Sequence, residues 1–93
     1  MKPHFTRIHP GEVLQDELDE LGINQTELAK CIAVLPKTIN EICRKKRGIS
    51  AEMSAKLSQA LGGSPQFWIN LQTNWELSQV NWEHVEHIHR LAA

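Results

Sequence analysis

Apolar residues recur along this chain at three- and four-residue intervals, broken every ten or so positions by glycine, proline or a capping side chain. Val13, Leu14, Leu18 and Leu21 form the first such stripe, the spacing of a helix with one buried face. It predicts a helix from Pro10, whose missing N–H is harmless in a first turn, to Leu21, closed by Gly22 as a left-handed cap. Asn24, with Glu27 three residues later, makes a capping box. The helix it opens carries Leu28, Ala29 and Ile32 inward and ends near Ala33. Pro36 starts a third helix through Ile39, Ile42 and Cys43, fraying into Arg44-Lys45-Lys46-Arg47-Gly48. Ser50, with Glu52 close behind, caps a fourth that buries Met53, Leu57, Ala60 and Leu61 before Gly62 and Gly63. Ser64 and Pro65 open a fifth through Phe67, Trp68, Leu71 and Trp75. There is no tyrosine, little β-branched alternation and no Asn-Gly or Asp-Gly hairpin signal. The expected fold is a compact all-α domain of five helices over residues 1–80, followed by a tail, 81–93, that can be helical.

Size narrows the function. A chain of 93 residues holds one domain and a small core, which favours a binding module over an enzyme with a deep cleft. The net charge of −1 hides a separation of sign. Seven of the ten basic residues, Lys30, Lys37, Arg44, Lys45, Lys46, Arg47 and Lys56, lie between positions 30 and 56, against Glu41 and Glu52. Glu12, Asp16, Glu17, Asp19 and Glu20 crowd the first helix with no base among them. Separate acidic and basic faces imply two different partners, or one partner and one solvated face. The two cysteines, Cys31 and Cys43, fall in apolar-periodic stretches and read as buried free thiols in a reducing cytosol. No apolar run approaches the ~18 residues of a membrane span, and Met1 to Pro10 contains no apolar signal core. The expected location is cytoplasmic, without membrane or small-molecule partners.

The most specific segment is Gln25 to Ile42. Counting Gln25 as position one, apolar residues fall at Leu28, Ile32, Val34, Ile39 and Ile42, with small Ala29 at the fifth place. Two short helices crossing steeply need a small residue where their backbones approach and a buried residue in the turn, here Val34. That leaves Lys37, Thr38, Asn40 and Glu41 free to enter a major groove. The plainer alternative is a pair of ordinary core helices.

At these residues the chain resembles helix-turn-helix domains of the phage-repressor (Xre, lambda-repressor-like) type, through Gln25-Thr26-Glu27-Leu28-Ala29. Its flanks, His9-Pro10-Gly11-Glu12-Val13-Leu14, Arg47-Gly48-Ile49-Ser50 and Ser64-Pro65-Gln66-Phe67-Trp68-Ile69-Asn70-Leu71-Gln72, resemble the HigA/VapI antitoxins over roughly residues 8 to 78. The resemblance implies a five-helix domain that forms a homodimer largely through its C-terminal helix and binds a palindromic operator upstream of its own operon. It also implies a tight complex with a small basic HigB-like toxin of the RelE-like class, an RNase that cuts mRNA on the ribosome. Three positions depart from the family. Ala33 and Lys45 stand where such motifs often place glycine, and Leu35 replaces the usual capping residue before the recognition helix. A stand-alone phage-type repressor without a toxin is the alternative, and an interaction module built on the acidic first helix is a third.

Residue chemistry assigns the tasks. Gln25 and Thr26, opening the second helix, suit phosphate contacts. Lys37 suits guanine, Asn40 adenine and Glu41 the amino group of cytosine, with Thr38 beside them. Arg44, Lys45, Lys46 and Arg47 suit flanking phosphates, or merely a solubilising loop. Trp68, Trp75 and Trp82 recur every seven residues, with Leu71 between the first two. Such a stripe is core, or part of it faces a second copy; Trp68, Leu71 and Trp75 are the interface candidates, Trp68 being the one most suited to the core. Of His84, His87 and His89, the first two, at i, i+3, could share a helix face, but no third ligand is fixed by spacing, so no metal site, cofactor or catalytic residue is expected.

Overall fold

The computed structural model describes residues 7–92. Residues 1–6 and 93 lie outside it, and with them most of the N-terminal stretch searched for a signal and the last residue of the tail. The described residues form helices α1 (Pro10–Leu21), α2 (Gln25–Cys31), α3 (Pro36–Cys43), α4 (Ala51–Leu61), α5 (Pro65–Ser78) and the short α6 (Trp82–Glu86), with no strand. None is long and apolar enough to cross a membrane.

The expected stripes supply the core: Leu14 and Leu18 from α1, Leu28 and Ala29 from α2, Ile39 and Ile42 from α3, Leu57 from α4 and Trp68 from α5, with Ile32 and Ile49 from the connections. Several positions differ from expectation. Leu21 (55% exposed) and Ala60 face solvent, while Ser54 and Ser58 are buried on α4. The hydroxyls of these serines donate back to the Ser50 and Ala55 carbonyls at 2.9 Å each, so their burial leaves no polar group unmet. Cys31 is exposed and Cys43 half-buried, so only Cys43 behaves as an inward thiol. Burial, helped by Asp19, pushes its pKa up to about 11, which keeps it protonated and inert.

Helix ends use one device three times. After α1, Gly22 turns left-handed (φ 67°) and the Ile23 N–H reaches back to the Leu18 carbonyl. After α2, which stops at Cys31, two residues short of the expected Ala33, Ala33 takes φ 56° and the Val34 N–H reaches the Ala29 carbonyl at 3.0 Å. After α3, Lys45 takes φ 64° and the Lys46 N–H reaches the Glu41 carbonyl at 2.8 Å. The turn thus keeps the geometry glycine would give, with a Cβ in a strained region.

The start of α1 is the other fixed point. Its N-cap is His9, buried at 2% exposure. The imidazole Nδ1 accepts the Gly11 N–H at 2.9 Å, while the His9 N–H donates to Glu12 Oε2 at 2.9 Å. The ring stands edge-on to Trp75 of α5, 4.9 Å between centroids. A Cβ on Gly11 would lie 1.8 Å from the Ile42 carbonyl oxygen, so glycine alone lets this turn rest on the end of α3.

Two outcomes are expected. Ala33→Gly removes a left-handed strain of roughly 1–2 kcal/mol and adds chain entropy to the unfolded state. The net gain is up to about 1 kcal/mol, a rise in Tm of several degrees in a thermal melt; a lower Tm would show the turn to be unstrained. The second concerns pH. An Nδ1 that accepts a hydrogen bond carries no proton, and burial pushes the His9 pKa below the ordinary 6.5, with Glu12 opposing and Lys45 assisting. As pH falls, the unfolded chain takes up the proton first, so stability holds above pH 6.5 and declines below it. Melts from about pH 7.5 to 5.5 should show this. His9→Asn, which keeps a capping acceptor that does not titrate, should flatten the decline, and an unchanged decline would place the acid sensitivity elsewhere.

Candidate nucleic-acid interface

α2 and α3 cross over Ala29, whose buried side chain is small enough for the close approach, and Val34 in the turn packs half-buried against the core. Leu35 caps α3 with its backbone alone: no side-chain bond is made, and the Thr38 N–H takes the Leu35 carbonyl at 2.9 Å. Pro36 at the first position removes one of the N–H groups that cap would have had to serve. Ile39 and Ile42 turn α3 inward, which leaves Lys37 and Asn40 fully outward and Thr38 and Glu41 at the margins. Gln25, half-buried, and Thr26, exposed, lie at the start of α2.

Several of these side chains are already engaged. Asn40 donates through Nδ2 to Gln25 Oε1 at 3.1 Å, which joins the start of α2 to the middle of α3. Gln25 in turn donates through Nε2 to Gln15 Oε1 of α1 at 2.8 Å. Glu41 accepts from Arg47 at 2.9 Å, its side chain 29% exposed. Its carboxylate therefore braces the loop after α3 instead of standing open for a cytosine. Lys45 lies 3.6 Å from Glu12 of α1. Arg44 and Lys46 are exposed on the same loop. At these exposures such pairs add about 0–1 kcal/mol; they hold a basic rim beside α3 in place more than they hold the fold.

The three interface candidates separate. Trp68 is 1% exposed and belongs to the core of its own chain, in one cluster with Leu57 and Ile49, so it offers nothing to a second copy, a correction to its place among the interface candidates that agrees with its suitability for the core. Leu71 packs half-buried against the same core. Trp75 is half-buried with one edge contact committed to His9. Phe67, 47% exposed, stands edge-on to Trp68 at 5.2 Å.

Three supporting residues escaped the pattern because they are polar at positions where a stripe is read for apolar ones. Gln15 and His9 are two. Gln72 is the third: buried, it accepts the Ile49 N–H at 2.7 Å and donates to Glu76 at 2.7 Å, fastening the loop that follows α3 to α5. A side chain at Gly48 would meet its amide at 2.8 Å. The signal was there in Arg47-Gly48-Ile49-Ser50 and Gln72, which the flanking resemblance includes without explaining. No group of three or more His, Cys, Asp or Glu among the described residues is placed to hold a metal.

Known proteins share this arrangement. The helix-turn-helix family model HTH_3 matches residues 14–68. Virulence-associated protein A′ of Dichelobacter nodosus is 51% identical over 73 residues, which span 77% of this chain and 64% of that protein. Antitoxin HigA of Pseudomonas aeruginosa, solved with the higBA promoter, superposes with a TM-score of 0.86 at 41% identity, covering 94% of this chain and 100% of that one. Antitoxin GraA in complex with its operator also gives 0.86, at 38% identity over 100% and 99% of the two chains. Since the family model takes in more than half of the chain and the likeness to HigA runs through nearly all of it, the chain belongs to the Xre-like helix-turn-helix family, among HigA-type antitoxins and DNA-binding regulators and not among enzymes.

Proposed function

We propose that this chain binds operator DNA as a homodimer, represses its own operon, and neutralises a small basic mRNA-cleaving toxin of the RelE-like class. One observation carries the reading. The outward face of α3, bordered by the basic loop Arg44–Arg47, is presented on a fold that superposes throughout on antitoxins solved with a promoter and with an operator. Lys37 and Asn40 then meet base edges, while Gln25, Thr26, Arg44, Lys45, Lys46 and Arg47 meet phosphates. Thr38 lines the groove wall, and Glu41 contributes by aiming Arg47. A dimer would set its two α3 helices about 34–36 Å apart, one turn of DNA. Its second copy is assigned to the outer side of α5 around Trp75 and Leu71. The acidic side of α1, with Asp16, Glu17 and Glu20, suits capture of a basic toxin.

Reading and gripping come apart in one titration series at several salt concentrations, against the chain's own upstream DNA and a random duplex. Lys37→Ala and Asn40→Ala should weaken operator binding by roughly 1–3 kcal/mol and relax preference at particular base pairs. Lys45→Ala should weaken both DNAs alike and reduce the log–log salt slope by about one per subunit. Equal losses on both DNAs from the first pair, with altered preference from Lys45→Ala, would reverse the assignment of the two faces.

The dimer is tested by sedimentation. Trp75→Ala should weaken self-association while circular dichroism stays helical. Trp68→Ala should instead unfold the chain, by about 3–5 kcal/mol. A Trp75→Ala protein that associates as the parent does would move the interface off this side of α5.

A further inference from the structure

Four side chains on three helices form a single line of hydrogen bonds whose direction is set at one end. Asp19 Oδ1 accepts from Gln15 Nε2 at 2.9 Å, one turn along α1. Gln15 Oε1 accepts from Gln25 Nε2 at 2.8 Å, crossing to α2. Gln25 Oε1 accepts from Asn40 Nδ2 at 3.1 Å, crossing to α3. An amide can face either way round, with its oxygen or its nitrogen toward a neighbour. A carboxylate has acceptors only. Asp19 therefore obliges Gln15 to turn its nitrogen toward the carboxylate, which turns its oxygen toward Gln25, and the same choice passes on to Asn40.

We propose that Asp19 and Gln15 are positioning residues that fix, through Gln25, which edge of the Asn40 amide faces the DNA. The inference rests on α3 being the reading helix. With one Nδ2 hydrogen committed to Gln25, exposed Asn40 shows its Oδ1 and its other N–H outward. That is the pair complementary to adenine, whose N6 donates and whose N7 accepts. Were the line reversed, Asn40 would give its oxygen to Gln25 and show two N–H donors, the complement of guanine O6 and N7. Two residues that touch no base thus select one. The acids of α1, which by charge alone read as a solvated face or a partner surface, then include one with a different task.

The test uses the full chain and a library of duplexes randomised over about 20 base pairs, roughly two helical turns, with bound fractions sequenced. The parent should show an adenine preference at one position of each half-site that Asn40→Ala abolishes. Gln15→Lys, which donates to Gln25 Oε1 and reverses the line, should move that position toward guanine by about tenfold, within the discrimination one bidentate contact provides. Gln15→Glu still accepts from Gln25 and should keep adenine. Asp19→Asn, free to face either way, should lower the preference without replacing it. If Gln15→Lys and Gln15→Glu relax the position equally, Gln15 only supports structure and the inference is overturned. If Asn40→Ala relaxes one position and Gln15→Lys leaves it alone, the inference also fails while the reading of α3 stands. If Asn40→Ala changes no position, both fail.

Discussion

Everything presented by α3 depends on how closely the first turn of α1 can lie against its end. Gly11 has no side chain, and an added Cβ would stand 1.8 Å from the Ile42 carbonyl. The approach lets Leu14 and Leu18 reach Ile39 and Ile42 in one core, and it brings His9 to the edge of Trp75. A helix of only eight residues, Pro36–Cys43, has too little surface to hold itself in place, since short helices draw their stability from packing. It is held between α2 at one end and the α1 turn at the other. Burial of the apolar face, and not the few exposed ion pairs, keeps its outer face at a constant angle.

The connections on either side of α3 carry strain that glycine would have avoided. Ala33 and Lys45 both turn left-handed, and both sit where the Gln25–Ile42 motif enters or leaves its second helix. Their hydrogen bonds back to Lys30 and Ile42 are complete, so the surrounding packing over-determines the conformation. At Lys45 the same backbone turn carries a charge toward Glu12 at 3.6 Å. A side chain at this corner places a cation that glycine could not place, and the strain is the cost of that placement.

Much of this was legible in the pattern of apolar positions and caps. The starts of all five longer helices follow from Pro10, Asn24, Pro36, Ser50 and Ser64, since proline and short polar side chains satisfy or remove the free N–H groups of a first turn. Leu14, Leu18, Ile39 and Leu57 were inward by spacing and are fully buried. What spacing could not show was the partner of a polar side chain. Gln72 occupies an inward position because the backbone N–H of Ile49, 23 residues away, needs it, and nothing local announces that need; His9 serves the nearby Gly11 N–H as an N-cap, a role rarely filled by histidine. Leu21 and Ala60 failed for the converse reason: each is apolar at helical spacing yet exposed, and at Ala60 it is the next residue, Leu61, that packs on the core. Trp68, counted with Trp75 among interface candidates because both fall on one heptad spacing but read as the one most suited to the core, is interior; periodicity finds the side of a helix but not what stands against it.

The same limit applies to charge. Read as a run, Glu12, Asp16, Glu17, Asp19 and Glu20 are five like charges on one helix. In three dimensions they divide. Glu12 holds the His9 N–H and faces Lys45, and Asp19 anchors Gln15. The remaining acids have no comparable structural task in the contacts around α3. Likewise the basic loop divides into Arg47 and Lys45, each facing an acid, and the exposed Arg44 and Lys46. Two acids thus aim two bases beside α3. A net charge near zero is therefore compatible with a DNA-binding face, because the field at a phosphate depends on nearby placement within about a Debye length and not on the sum over the chain.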